Sequence, residues 1–296
     1  MSQAPLPGSP PAAPTVRTLV LLNPGNSLPG ETDIIIRSGN DKDFRAHKLW
    51  LSFVSPVWKA EIDALPCTAP PALPVLQLAE SADVLRLLLQ SIYPVETRSR
   101  PKQLDRVRSG LEAAAKYEIK VAINTLREYL VHHDFLTKAP LAVMSIALAR
   151  KLRAEADRGF EETFKLREDH LLRDCPVDLT GRDLAALLHY RHVRAEKMIE
   201  WLDAYFANNT EEVPRCEACG ETAAWASYWL GEADYMLVQH PVTDTIFSLG
   251  FVKNAKAYHL HGCECAGVEE PWQGELLHIK EEMDAEFPIP KHWIGD

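Results

Sequence analysis

The spacing of apolar positions begins strand-like and turns helical further along the chain. Ile34, Ile35 and Ile36 are β-branched in succession, which favours extended backbone. Ser38-Gly39-Asn40-Asp41 follows as turn chemistry, with Gly39 free to take a positive φ. From Asp43 to His47 polar and apolar residues alternate, placing Phe44 and Ala46 on one face of a second strand. Ser55 before Pro56 predicts a helix start: the hydroxyl caps a free amide, and proline suits the first helical position. Val75–Leu78 predicts a short buried strand, and Ser81 a cap. Leu85, Leu88, Leu89 and Ile92 then fall on one face of a helix that stops at Tyr93-Pro94. Leu104–Leu130 predicts two helices. Leu111, Ala114 and Ala115 give the first its apolar face, and Val121, Ile123, Leu126 and Leu130 belong to the second.

Beyond Pro140 the pattern is helical. Leu141, Met144, Ala147 and Leu148 share a face, and Arg158–Leu172 reads as one charged amphipathic helix broken by Pro176. Leu179-Thr180-Gly181 leads into a helix with Leu184, Leu187 and Leu188 inward. Met198–Phe206 follows as the next helix, ended by Asn208-Asn209-Thr210. Ala223–Met236 predicts a helix on which Trp225 and Trp229, four apart, share a face suited to core packing. Val242–Leu249 fits no single pattern. At the other end, Met1–Pro14 is rich in Pro, Ala and Ser and is expected to be disordered. Val16–Leu22 can form a short strand stopped by Asn23-Pro24-Gly25.

Read together, Asp33-Ile-Ile, a hairpin, Phe44-Arg-Ala-His47-Lys48 and Ser55-Pro56-Val57-Trp58 resemble the opening of a BTB/POZ domain. Ile92-Tyr93 closing a helix and Ala113-Ala-Ala-Lys-Tyr117 extend the resemblance, with Trp58 standing where the family usually has Phe. The resemblance implies an α+β N-terminal domain, a short β-sheet covered by a helical cluster, over residues 30–135. A mainly α-helical region follows, as in fungal-type BTB proteins, with residues 136–212 as a helical extension and 213–296 as a Cys- and Trp-containing region. Residues 1–29 form a Pro-rich N-terminus with the short strand at 16–22, exchanged across a dimer as in some BTB domains, private to the chain, or a sticky tail. The implied function is protein–protein interaction, by self-association as a homodimer or by recruiting a protein partner. The motif residues are Asp33, Phe44, His47, Lys48, Ser55, Trp58 and Tyr93. In several BTB dimers charged groups matching Asp33 and His47 line a pocket at the dimer groove. The local alternative has Asp33 capping the strand entry and His47 making one hydrogen bond. A second role common in the family is adaptor for a cullin scaffold in a ubiquitin ligase. Many such members carry a hydrophobic-x-Glu motif, and Leu85-Arg86-Leu87 lacks the Glu.

Charge and chemistry narrow the picture further. The net charge of −10 disfavours nucleic-acid binding by the chain itself, and Arg98–Lys102 is the best basic run. No apolar run is long enough for a membrane span. The N-terminus has no signal pattern, so an intracellular setting, cytoplasmic or nuclear, with reduced thiols is expected. The tail after Val268 is acidic, Glu269, Glu270, Glu275, Glu281, Glu282, Asp284 and Glu286 outweighing Lys280 and Lys291. No G-x-S-x-G elbow, P-loop or dinucleotide fingerprint is present, so no enzyme is indicated and no cofactor required. His132-His133-Asp134 reads as a solvated helix end, its histidines near the last carbonyls. One chemical candidate remains. Cys216-Glu-Ala-Cys219-Gly220 has the form of a metal knuckle, and Cys263 and Cys265 can complete a tetrahedral structural zinc site, with His259 or His261 as substitutes. A metal-dependent enzyme built on this cluster is the least favoured alternative.

Overall fold

The computed structural model describes residues 19–20, 31–67, 71–93, 100–173, 175–176, 178–209, 224–257 and 271–289, with backbone alone at 19–20, 224–225, 256–257 and 271–275. The Met1–Pro14 tail lies outside the described residues. The chain divides into two compact units, Met1–Leu130 and Val131–Asp296.

The first unit is built on a four-stranded sheet of order β1-β3-β2-β4, made of β1 (Leu19–Val20), β2 (Ile34–Arg37), β3 (Asp43–Ala46) and β4 (Val75–Gln77). β2 and β3 form the expected antiparallel hairpin, while β1 joins β3 and β4 joins β2 in parallel. β1 therefore pairs within its own chain at the sheet edge. Arg37 and Asp43 stand opposite each other and form a two-pronged ion pair at 2.7 and 2.8 Å across the hairpin mouth. The turn corrects one expectation. The residue with positive φ is Asp41, at 58°, and not Gly39. Gly39 is needed for closeness instead: a Cβ there would collide with the Ala79 carbonyl. Its amide donates to Glu80 O at 2.8 Å, and Asn40 Oδ1 accepts from the Ala82 amide. The hairpin tip is thus docked onto the start of the helix that follows β4.

Helices cover this sheet: α1 (Lys48–Val54), α2 (Pro56–Asp63), α3 (Ala82–Ile92), α4 (Leu104–Lys116) and α5 (Lys120–Leu130). Ser55 caps α2 by accepting from the Trp58 amide, and Ser81 caps α3 through Val84. Leu85, Leu88, Leu89 and Ile92 are all buried, as their spacing predicts. On α4 the inward residues are Leu111, Ala113 and Ala114, whereas Ala115 faces solvent.

The second unit contains α6 (His133–Lys138), α7 (Pro140–Ala149), α8 (Arg153–Thr163), α9 (Glu168–Arg173), α10 (Gly181–Asn208), α11 (Ala224–Gln239), α12 (Thr243–Ile246), α13 (Leu249–Ala257) and α14 (Pro271–Glu286). Two expected helices merge: α10 runs unbroken from Gly181 to Asn208, because no proline or glycine interrupts it after its first residue. The reverse happens at Arg158–Leu172, where the chain breaks between α8 and α9. Buried Arg191 of α10 explains the break. Its guanidinium donates to the carbonyls of Thr163, Leu166 (2.8 Å) and Gln239 (2.9 Å), groups that a continuous helix would partly consume. Burial pushes its pKa down to about 10, against the attraction of Glu168. Arg194, one turn on, donates to the Pro241 and Phe287 carbonyls. Val242–Leu249 resolves into α12 and the start of α13. α7 is buried on nearly every side instead of along one stripe, because α8 packs closely against it.

That packing turns on Gly159, where a Cβ would sit 2.8 Å from the Met144 backbone nitrogen and 3.0 Å from its Cα. Backbone cannot yield as a side chain can. Gly159→Ala is expected to destabilise the protein by about 1–3 kcal/mol. Gly231→Ala, on α11 with nothing within 4 Å, is expected to stabilise it by up to about 1 kcal/mol. Urea denaturation of the two variants beside the wild type checks both signs.

Candidate interaction surface

Helix α1 has the sequence Lys-Leu-Trp-Leu-Ser-Phe-Val, apolar almost all round, yet Leu51 is its one fully buried residue. Leu49 and Phe53 are 83% and 81% exposed, the most exposed large apolar side chains among the described residues. They lie four apart and so share one side of the helix. Trp50 stacks on Phe53 with ring centroids 6.1 Å apart, while its indole N–H donates to Ile92 O at 3.3 Å.

A seven-residue helix does not hold its own ends well, and its N-cap residue His47 supplies no side-chain cap. Two distant side chains replace it. Asp33, just before β2, accepts from the Lys48 amide at 2.7 Å. Tyr93, just after α3, accepts from the His47 amide at 3.0 Å, and its hydroxyl lies 3.3 Å from His47 Nδ1. Asp33 therefore caps α1 and not the strand entry. His47 makes its contacts with Tyr93, and its Nε2 is buried without a hydrogen-bond partner among the described residues. Burial, with the Asp33 carboxylate nearby, pushes Tyr93 up to about 12.

A second junction fixes α2 behind this corner. Ser55 Oγ donates to Tyr117 O at 2.6 Å while accepting from Trp58, and the Trp58 and Tyr117 rings lie 5.3 Å apart. The Tyr117 hydroxyl donates to Glu80, as does Lys116 Nζ at 2.7 Å. Burial opposes ionisation of Glu80, but these two donors outweigh it and hold its carboxyl below the usual range. Burial and the hydrogen bond to Glu80 push Tyr117 up to about 12. Phe44 and Trp58 are wholly buried core residues. His132 does stand at a helix terminus, but as the N-cap of α6, its Nδ1 accepting from the Asp134 amide at 3.3 Å.

Leu49, Trp50 and Phe53 are missing from the sequence-derived motif residues. The available signal was a short apolar segment with no polar side to face solvent. Cys216, Cys219, Cys263, Cys265, His259 and His261 lie outside the described residues. Among the described residues no group of three or more His, Cys, Asp or Glu is placed to hold a metal ion, and no helix is long and apolar enough to cross a membrane.

With this geometry in place, comparison with protein families finds that residues 26–134 match the BTB/POZ domain. This part of the chain is a BTB/POZ domain, a protein–protein interaction module, and the helical second unit follows it. No curated protein matches the chain.

The two raised phenols give a pH test. Each neutral phenol is favoured by the folded state. The stability it contributes is present below the ordinary tyrosine value near ~10 and is lost as pH rises through about 12. Spectrophotometric titration should show two late-ionising tyrosines. Tyr93→Phe and Tyr117→Phe should each remove one of them, whereas Tyr235→Phe, at a half-exposed position, should leave both.

Proposed function

We propose that this protein is a non-enzymatic interaction module that self-associates through α1 of its BTB/POZ domain. The observation that carries the reading is the exposed Leu49–Phe53 pair on a helix whose N-terminus is held by Asp33 and Tyr93. A monomer gains nothing by holding these side chains in water on a positioned helix. A second copy brings the same apolar patch, and two-fold pairing buries the patch of both copies at once. Asp33 and His47 act at this surface by positioning α1. The second unit, stitched together by Arg191 and Arg194, then stiffens the module or presents a surface to another partner.

The adaptor role at a cullin scaffold is the second reading, and α3 weighs against it. Leu85 and Leu87 are buried, so the outward residue of Leu85-Arg86-Leu87 is a cation.

Burying a Leu or Phe contributes about 1.5–3 kcal/mol. Replacing both Leu49 and Phe53 by Glu should therefore weaken the dimer by at least ~100-fold while leaving the circular dichroism spectrum intact. Sedimentation velocity over a range of concentrations checks this. A wild type that stays monomeric throughout, or a double variant as dimeric as the wild type, would contradict the proposal.

A further inference from the structure

Within the second unit, the last residue of α6, the first turn of α7 and the last turn of α9 meet around a cavity of about 200 Å³. Its ionisable lining is Lys138, His170 and Arg173, and no carboxylate lines it. The chain has 42 acidic residues against 32 basic ones, so an all-cationic lining runs against its composition. Lys138 and Arg173 are exposed and make no ion pair or side-chain hydrogen bond among the described residues. Asp169 on α9 is engaged by Arg167 at 3.2 Å. Leu166 also lines the cavity, and its carbonyl accepts from buried Arg191, a cation whose described hydrogen bonds all go to carbonyls. The backbone adds donors. α7 has no side-chain cap at Ala139, and Pro140 at its first position carries no amide hydrogen. Its first helical bond runs from the Val143 amide to Ala139 O at 3.0 Å. The amides of Leu141 and Ala142, two more lining residues, are left without an acceptor among the described residues, although Leu141 is 3% exposed. A buried amide normally has a partner, and these two stand at the positive end of a 10-residue helix.

We propose that this cavity binds a small phosphate monoester. The phosphoryl oxygens accept from the Leu141 and Ala142 amides, the donors that a helix N-terminus offers an anion. Lys138 and Arg173 supply the opposing charge from two other helices. Arg173 offers a planar fork that suits two oxygens at once, Lys138 a point charge, and His170 an N–H in either tautomer. Two fixed cations and two amides match a dianion better than a singly charged carboxylate. Ala139, Pro140 and Leu171 give the carbon part of the ester an apolar wall. Pockets for drug-sized ligands run to about 300–1,000 Å³. A smaller cavity favours a small ester over a phosphorylated segment of another protein.

The test is calorimetric titration of the full chain at low salt with glycerol 3-phosphate, inorganic phosphate and glycerol. Glycerol 3-phosphate should bind at a single site and more tightly than inorganic phosphate, and glycerol should not bind. Lys138→Ala with Arg173→Ala should weaken glycerol 3-phosphate by at least ~10-fold, the factor that a lost charge-assisted hydrogen bond carries. Lys197→Ala, an exposed cation of α10 away from the cavity lining, should leave the affinity unchanged. No binding of glycerol 3-phosphate by the wild type, or equal binding by the double variant, would overturn the proposal. So would binding of inorganic phosphate alone, or a phosphoserine peptide that binds more tightly than glycerol 3-phosphate. Should the double variant fail to fold, the salt dependence of the wild type decides. Affinity that falls as sodium chloride is raised supports a charge-lined site, and affinity indifferent to salt overturns it.

Discussion

The interaction surface depends on a helix that is held by other parts of the chain. α1 is too short to stabilise itself and has no cap of its own, so Asp33 and Tyr93 satisfy the amides of Lys48 and His47 from outside. The Trp50 indole adds a third tie, to the last carbonyl of α3. Once these bonds set the position and rotation of α1, its apolar residues are sorted without further choice. Leu51 enters the core, and Leu49 and Phe53 are left in solvent. An exposed apolar pair on a free loop would say little. The same pair on a helix fixed by a carboxylate and a buried phenol is a prepared surface.

Behind α1, the residues that resemble the family motif form one connected junction. Ser55 serves twice, capping α2 and bonding the Tyr117 carbonyl. Tyr117 stacks beside Trp58 and, with Lys116, secures Glu80 at the approach to α3. The hairpin tip reaches the same region through Gly39 and Asn40. Sheet, α2, α3 and α4 are therefore locked together by polar contacts around an apolar core. These residues make the scaffold, and the fold hosts many functions. The surface on α1 is what gives this copy of the scaffold its proposed role.

What could be read in the sequence follows the range of each interaction. Local signals were legible: the hairpin, the Ser55 and Ser81 caps, and the buried face of α3 are all set within a few residues. Signals that depend on distant contacts were not. Gly39 was read for its φ, but a carbonyl packed forty residues away in sequence is what excludes a side chain there. The break between α8 and α9 follows from Arg191, and nothing within Arg158–Leu172 announces it. Asp33 lies near a strand in sequence but near a helix N-terminus in space, which only folding reveals. Leu49 and Phe53 were legible in principle. The apolar segment is plain in the sequence, but it does not say whether the fold's own core or a partner covers each side chain.

The account is tested most directly by hydrogen–deuterium exchange measured at protein concentrations from well below to well above that needed for association. If α1 is the self-association surface, protection should rise with concentration and concentrate on the Lys48–Val54 segment. Protection there that does not change with concentration, or that rises only elsewhere in the chain, would contradict it.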